Sequence, residues 1–568
     1  MASEFIQATP VAATEDYYDL GCFSRKVSTN SIDAQRWFDR GLTWAYSFNH
    51  EEAGNCFQQV IAHDPDCAMG YWGVAFVAGP NYNKKWTMFD EDDLKYSVRK
   101  GHHVIRAAEE HTISAMPFEK ALIKALQYRF PTDFVVQDFD AINKAYVDAM
   151  RRVYRDFGET DLDVITLFAD ALMNMNPWGM FDASTGKPIL STPVLEVKGL
   201  LESGLAFPMA KEHPGILHLY IHLMEVSATP EVALVPADHL RDLVPDAGHL
   251  RHMPSHLDIL VGDYRRSIDC NMKATFADDK FFARQGGENF YSFYRLHNYH
   301  SLIYACMLAG QSKIALESTT RMETTITEDM LRIESPPMAE WIEFFKSVRV
   351  HVLIRFGFWE GLKELPIPED RELYCVTVVM THYGKAIAWA ATGNLEKADK
   401  ERELFYAAAK RVPPTRMDFL NRVVDELKVV AAMLDGELEY RRGNYKASFA
   451  SLRQAVHEED NLHYSEPGWM LPSRHAYAAL LLEQDHVAEA AEVYADDLAL
   501  SCKLIGPHRH PNNVWALHGY HECMTRLGRT TEARMIQIPL KVAMAVADIP
   551  IQSSCFCRLE TANKQSSK

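Results

Sequence analysis

Apolar side chains recur at three- and four-residue intervals along most of this chain, in paired segments separated by short turns. The turns carry glycine beside a small polar residue, as in Gly262-Asp263-Tyr264 and Gly443-Asn444-Tyr445. Such a pattern predicts helical hairpins. Residues 34–66, AQRWFDRGLTWAYSFNHEEAGNCFQQVIAHDPD, form the clearest unit. There Gly41 lets two helices approach, Ala53 and Phe57 fill the contact, and Pro65 stops the second helix. Further units are centred on 384–405, 434–456, 474–498 and 515–535. Strand patterns are sparse. The run CVTVVM (375–380) is β-prone, but it flows into a helical pattern and is expected to be helix. Hairpins that bury their apolar faces only against neighbours stack into an all-α superhelix, an α-solenoid.

Two stretches interrupt the pattern. Residues 80–95, with Pro80-Asn81-Tyr82-Asn83, are expected to be a loop. Residues 176–214, rich in Pro, Gly, Ser and Thr, are expected to be a long connection and a candidate lid. Residues 1–30 form an N-terminal extension and 31–550 one continuous repeat domain. Residues 551–568 form a tail, disordered from about 559.

Composition narrows the function classes. A hydrophobic content of 47% over 568 residues suits a globular protein with a large core. The net charge of −18 argues against a nucleic-acid partner, which needs clustered Lys and Arg. The N-terminus lacks a basic stretch followed by an apolar one, and no apolar run is long enough to span a membrane. The 10 cysteines show neither disulfide-framework nor paired CxxC spacing and are expected to be reduced thiols of a cytoplasmic protein. Cys555-Phe556-Cys557 is expected in a solvated tail. No phosphate-loop, dinucleotide or nucleophile-elbow motif occurs.

Histidines carry the candidate chemistry. Fifteen, eleven and eight residues before Ala233 stand His218, His222 and Glu225. Eighteen, fifteen and eleven before Ser267 stand His249, His252 and His256. Eighteen and fifteen before Ala315 stand His297 and His300. At about 100° per residue these offsets share an arc of about 80°, one stripe per helix. Neighbouring helices lie about 8–10 Å apart, so imidazoles from adjacent stripes can share an ion. His218 and His222 at i and i+4 can bind one metal, with Glu225 a turn further on as ligand or as general acid/base. Pro254 is expected to start or kink the second helix. Imidazole and carboxylate without cysteine suit zinc, with copper or iron as alternatives. Tyr220, Tyr294 and Tyr299 are candidate substrate-binding groups, and Asp170 and Asp258 candidate partners for ligand imidazoles. A second group, His508, His510, His518 and His521, is irregularly spaced and a weak metal candidate. The bland alternative is a polar groove that binds a peptide.

Trp37, Gly41, Ala53, Phe57 and Pro65 have the spacing of a tetratricopeptide unit. Over most of its length the chain resembles a family of tetratricopeptide-repeat proteins of bacteria and fungi. The segments that carry the resemblance are NHEEAGNCFQQVIAHDPDCAMGYWGVAFVAGPNYN (49–83), FADALMNMNPW (168–178), HPGILHLYIHLMEVS (213–227), AGHLRHMPSHLDILVGDY (247–264) and HNYH (297–300). In ordinary members the first helix of each unit lines a concave groove, so the resemblance implies that the histidine stripes face it. Peptide-binding members carry Lys, Asn and Arg there, and this chain has His and Glu instead. The chain is also similar to zinc-dependent cyclopenases of fungal secondary metabolism, which implies Lewis-acid lyase chemistry on a small molecule. Three readings follow: a zinc enzyme, a copper or iron oxidase on the same histidines, and a non-catalytic scaffold with a protein partner in the groove.

Overall fold

A computed structural model describes residues 2–558 apart from Glu15, 464–466, Cys502, Ile505 and the side chain of Pro507. The expected disorder from about 559 lies outside the described residues. The fold is all-α, built of tetratricopeptide-like helical hairpins. Among the described residues the only strands are the short pair Met417–Asp418 and Asn421–Arg422. No helix among them is long and apolar enough to cross a membrane.

The hairpins follow the sequence pattern closely. Ile32–Tyr46 pairs with His50–His63, Cys375–Ala391 with Leu395–Ala409, and Val423–Arg441 with Tyr445–Glu459. Ser473–Glu483 pairs with Val487–Asp497, and Val514–Arg526 with Thr530–Val546. Side-chain caps start several of them: Ser31 accepts from the Ala34 N–H, Asn49 from Glu52 and Asn394 from Lys397. Gly41 is required, because a Cβ there would lie 2.8 Å from the Phe57 ring. The β-prone run 375–380 is helical, as the pattern that continues it demands.

Contacts divide the chain into two compact units. The first comprises Met1–Leu257 and Lys273–Arg295, the second Asp258–Met272 and Leu296–Lys568. In the first unit the N-terminal segment packs into the core through Phe5, Tyr18, Leu20 and Val27. Arg25 fastens it by donating to Asp161 and, at 2.7 Å, to the buried Asp163. In the second unit Asp497 is fully buried and accepts from His475, His510 and Asn513 at 3.0, 2.7 and 2.8 Å. His510, from the irregular histidine group, is therefore a packing residue of this network.

Three expectations are corrected. Within 176–214 the segment Val194–Leu205 is a helix, because Val194, Val197, Leu200 and Leu201 repeat at helical spacing and are buried. The loop expected over 80–95 ends at Asp90, which caps helix Glu91–Glu110, and Asn81, Tyr82 and Asn83 are buried. Cys555, Phe556 and Cys557 are buried within the second unit rather than solvated, and the two cysteines are joined in a disulfide. The apolar Ile551 and Phe556 draw that segment in, and Arg355 donates to the Ser554 carbonyl.

Candidate metal centre

Helix Pro214–Met224 begins with proline at its first turn and is capped by His213, whose Nδ1 accepts from the Ile216 N–H at 3.2 Å. The other nitrogen of His213 donates to Asp163 at 3.1 Å, so His213 is a cap and a hydrogen-bond donor to that carboxylate. Gly215 lets this helix close on Ile32–Tyr46, since a Cβ there would lie 2.7 Å from the Tyr46 ring. The close approach brings His218 Nδ1 within 2.6 Å of the Tyr46 carbonyl oxygen.

That contact fixes the tautomer. A carbonyl only accepts, so His218 carries its proton on Nδ1 and presents Nε2 as a lone pair. His222 is fixed in the same way, because its Nδ1 lies 2.8 Å from Glu225 Oε1. Both Nε2 atoms are buried and have no hydrogen-bond partner among the described residues. A buried acceptor left unmatched costs about 1–3 kcal/mol, and here two stand side by side with ring centroids 4.7 Å apart.

A third imidazole completes the group. Helix Gly248–His252 ends where Pro254 begins the next helix, Pro254–Val261, as the sequence predicts. Its first turn is held by Tyr291, whose hydroxyl accepts from the His249 N–H at 3.2 Å and donates to Asp278 at 3.0 Å. One nitrogen from each of His218, His222 and His249 lies within 4.8 Å of the other two. Zinc–nitrogen bonds are about 2.0–2.1 Å, so small side-chain rotations bring all three onto one ion. The donor set fits a transition metal: neutral imidazoles, orphaned lone pairs, and a carbonyl and a carboxylate behind the rings.

Glu225 holds two helices together. Its Oε1 takes His222, and its Oε2 sits against His256 Nδ1. Desolvation would raise its pKa, but His256 and His222 outweigh burial and bring it down to about 2. Glu225 is thus an ionised carboxylate with both oxygens engaged. His256 Nε2 lies 2.7 Å from His252 Nε2, and Ser255 Oγ lies 3.3 Å from His252 Nδ1. Burial and the neighbouring His222 push the His218 pKa well below 6.5, and burial lowers His222 too, which keeps both rings neutral.

Aromatic rings wall the group. Phe48 packs on His218 at 4.4 Å and on His222 and His249 at 5.7 Å each. Tyr82 and Trp178 cover His222 at 5.1 and 5.4 Å, and Tyr294 lies on His249 at 4.7 Å. Phe48 and Trp178 adopt φ of 60° and 61°, a left-handed conformation that costs a non-glycine residue about 1–2 kcal/mol. Both of these residues lie against His222.

Of the other candidate residues, Tyr220 points elsewhere and donates to Glu202 at 3.1 Å. Asp170 accepts from Asn174 and lies 3.7 Å from Arg129. His297, His300, Tyr299 and Asp258 belong to the second unit. There His297 stacks on Phe419 at 5.1 Å, His300 meets Phe344 and Phe345 edge-on at 6.1 and 5.9 Å, and Arg321 covers the Tyr299 ring. Sequence reasoning missed Phe48, Tyr82, Trp178 and the Tyr46 carbonyl.

No family model and no curated protein matches the chain. Among solved structures it is similar to the Cut9-Hcn1 hetero-tetramer of APC/C, at 11% identity over 91% of this chain and 77% of that one, TM-score 0.30. It is similar to the human IFIT1 dimer with m7Gppp-AAAA, at 11% identity over 90% and 97%, TM-score 0.31. It is similar to Ypp1, at 11% identity over 95% and 69%, TM-score 0.34. At such scores these likenesses carry no weight for function.

Proposed function

We propose that this chain is a helical-hairpin protein that holds one transition-metal ion, zinc by donor chemistry, on His218 Nε2, His222 Nε2 and a nitrogen of His249. The observation that carries the reading is the pair of buried, unpartnered Nε2 atoms whose opposite nitrogens are pinned by Tyr46 and Glu225. Three protein ligands leave a coordination position for a small molecule, the arrangement of catalytic rather than structural zinc sites. A bound zinc ion supplies Lewis-acid polarisation of a carbonyl or epoxide oxygen. The chain's own residues do the rest. Tyr46 and Glu225 orient the ligand rings, Phe48 and Trp178 exclude water, and His256 is tied through Glu225 to His222. Glu225 is a positioning residue in this reading, since a carboxylate with both oxygens occupied is a poor general base.

The test is metal analysis by plasma mass spectrometry on protein purified without a histidine tag or added metal. One equivalent of zinc in the wild type, lost in His222→Ala, is the expected result. Copper or iron in that place would favour oxygen chemistry. No metal, and none taken up on titration, would overturn the reading and leave a scaffold for a protein segment.

A further inference from the structure

The histidine cluster is closed, yet it has a neighbour that is open. In the first unit a cavity of about 250 Å³ is lined in part by Phe48. Helix His50–His63 supplies Glu51 and Gly54 to its wall, helix Glu91–Glu110 supplies Asp93, Tyr96 and Lys100, and Phe290 and Tyr291 close it. Phe48 and Tyr291 therefore border both spaces, since the Tyr291 hydroxyl also holds the His249 backbone.

The lining selects a ligand. Lys84 is spoken for: it donates to Asp93 at 2.6 Å and lies over the Phe89 and Phe290 rings at 4.2 and 4.7 Å. Glu51 accepts from the Phe290 N–H at 3.2 Å. Lys100 is different. Its ammonium has only a distant approach to the Tyr96 ring, at 5.6 Å, and makes no ion pair among the described residues. Burial alone draws its pKa below the usual lysine value. A half-buried cation without a counter-ion, in a void flanked by two phenyl rings, wants an anion with a flat apolar body. The volume is below the about 300 Å³ at which drug-sized sites begin, which limits the body to a ring or two.

We propose that this cavity is a ligand chamber serving the histidine cluster, and that it takes a small planar carboxylate, its anionic end on Lys100 and its ring against Phe89 and Phe290. The connection to the histidines rests on the metal reading above; the chamber itself does not.

Benzoate is a suitable probe. It is titrated calorimetrically into metal-free and zinc-loaded wild type, Gly54→Leu and Lys100→Met, with zinc content and melting temperature measured on each. At Gly54 a Cβ would touch only Val77, at an ordinary 3.5 Å, so a larger side chain enters the void and leaves the histidines alone. The expected result is saturable binding to the wild type, weakened about tenfold or more in each variant, with zinc content unchanged. Absence of binding to folded wild type, or equal binding by both variants, would overturn the proposal. Benzoate binding to a wild type that takes up no zinc would support the chamber and overturn only the metal reading.

Discussion

Replacing Glu225 by Gln tests the centre at the group that orients it. The carboxylate accepts from His222 on one oxygen and meets His256 on the other. A carboxamide has one acceptor and one donor, so only one of those rings keeps its partner. The other faces an N–H₂ group and must either turn its tautomer or lose the bond. If His222 is the loser, its proton moves to Nε2 and blocks the lone pair aimed at the ion site. Even where the amide oxygen stays with His222, a neutral acceptor makes the imidazole a weaker base than a carboxylate does. Loss of such a partner behind a metal ligand costs about 10- to 100-fold in affinity, or about 1.4–2.7 kcal/mol. His218 is unaffected, because its Nδ1 is held by the Tyr46 carbonyl. The loss should therefore be partial and smaller than that of His222→Ala. The assay is zinc competition with a chromophoric chelator at neutral pH, with urea unfolding alongside to show the variant is folded. A folded variant whose zinc affinity lies within about twofold of wild type would refute this account of Glu225.

Two further outcomes follow from packing and charge. Phe48→Ala and Phe48→Gly should each destabilise by about 3–4 kcal/mol through lost aromatic burial, but the glycine variant should be the more stable by about 1 kcal/mol, since only it relaxes at φ of 60°; urea melts that put alanine above glycine would show the backbone is not strained. Asp163→Asn should cost about 1–3 kcal/mol at neutral pH, because it takes one of two carboxylates from the buried Arg25, which keeps Asp161. Burial would raise the Asp163 carboxyl, but Arg25 and His213 hold it well below its ordinary 3.8. Its stabilisation is therefore present above the unfolded pKa and is lost as pH falls through the folded value. The gap between variant and wild type in metal-free protein should start to close below about pH 4, and a gap independent of pH would contradict the pairing.

The hairpins were legible in the sequence because each is a local object. Gly41, Ala53 and Phe57 report a contact that forms within one unit, and periodicity needs nothing from the rest of the chain. His218 and His222 were legible for the same reason, as neighbours one turn apart on a helix. Tyr220 illustrates the limit. It stands two residues from His218, about 200° round the helix, and it faces Glu202 on the other side. Phe48, Tyr82 and Trp178 lie outside regular helices, where no period exists to read, and two of them take backbone angles that composition does not announce. The Tyr46 contribution is a carbonyl, common to all residues. The role of Glu225 depends on which two helices its oxygens meet, a fact of tertiary structure. The segment 551–558 was expected in a solvated tail, while its Ile551, Phe556 and Cys557 are buried.

The burial of His218, His222 and His249 to 1% exposure or less has a temporal side. Whatever ion occupies such a place cannot leave at the rate its bond strengths alone would set. It would wait for Phe48 or Trp178 to swing away, so exchange would proceed at the pace of local opening rather than of ligand dissociation. Divalent copper outcompetes zinc for most nitrogen sites at equilibrium, but a closed pocket seldom reaches equilibrium during the life of the molecule. The metal carried by this protein would then record what the surroundings offered at the moment the chain closed around it.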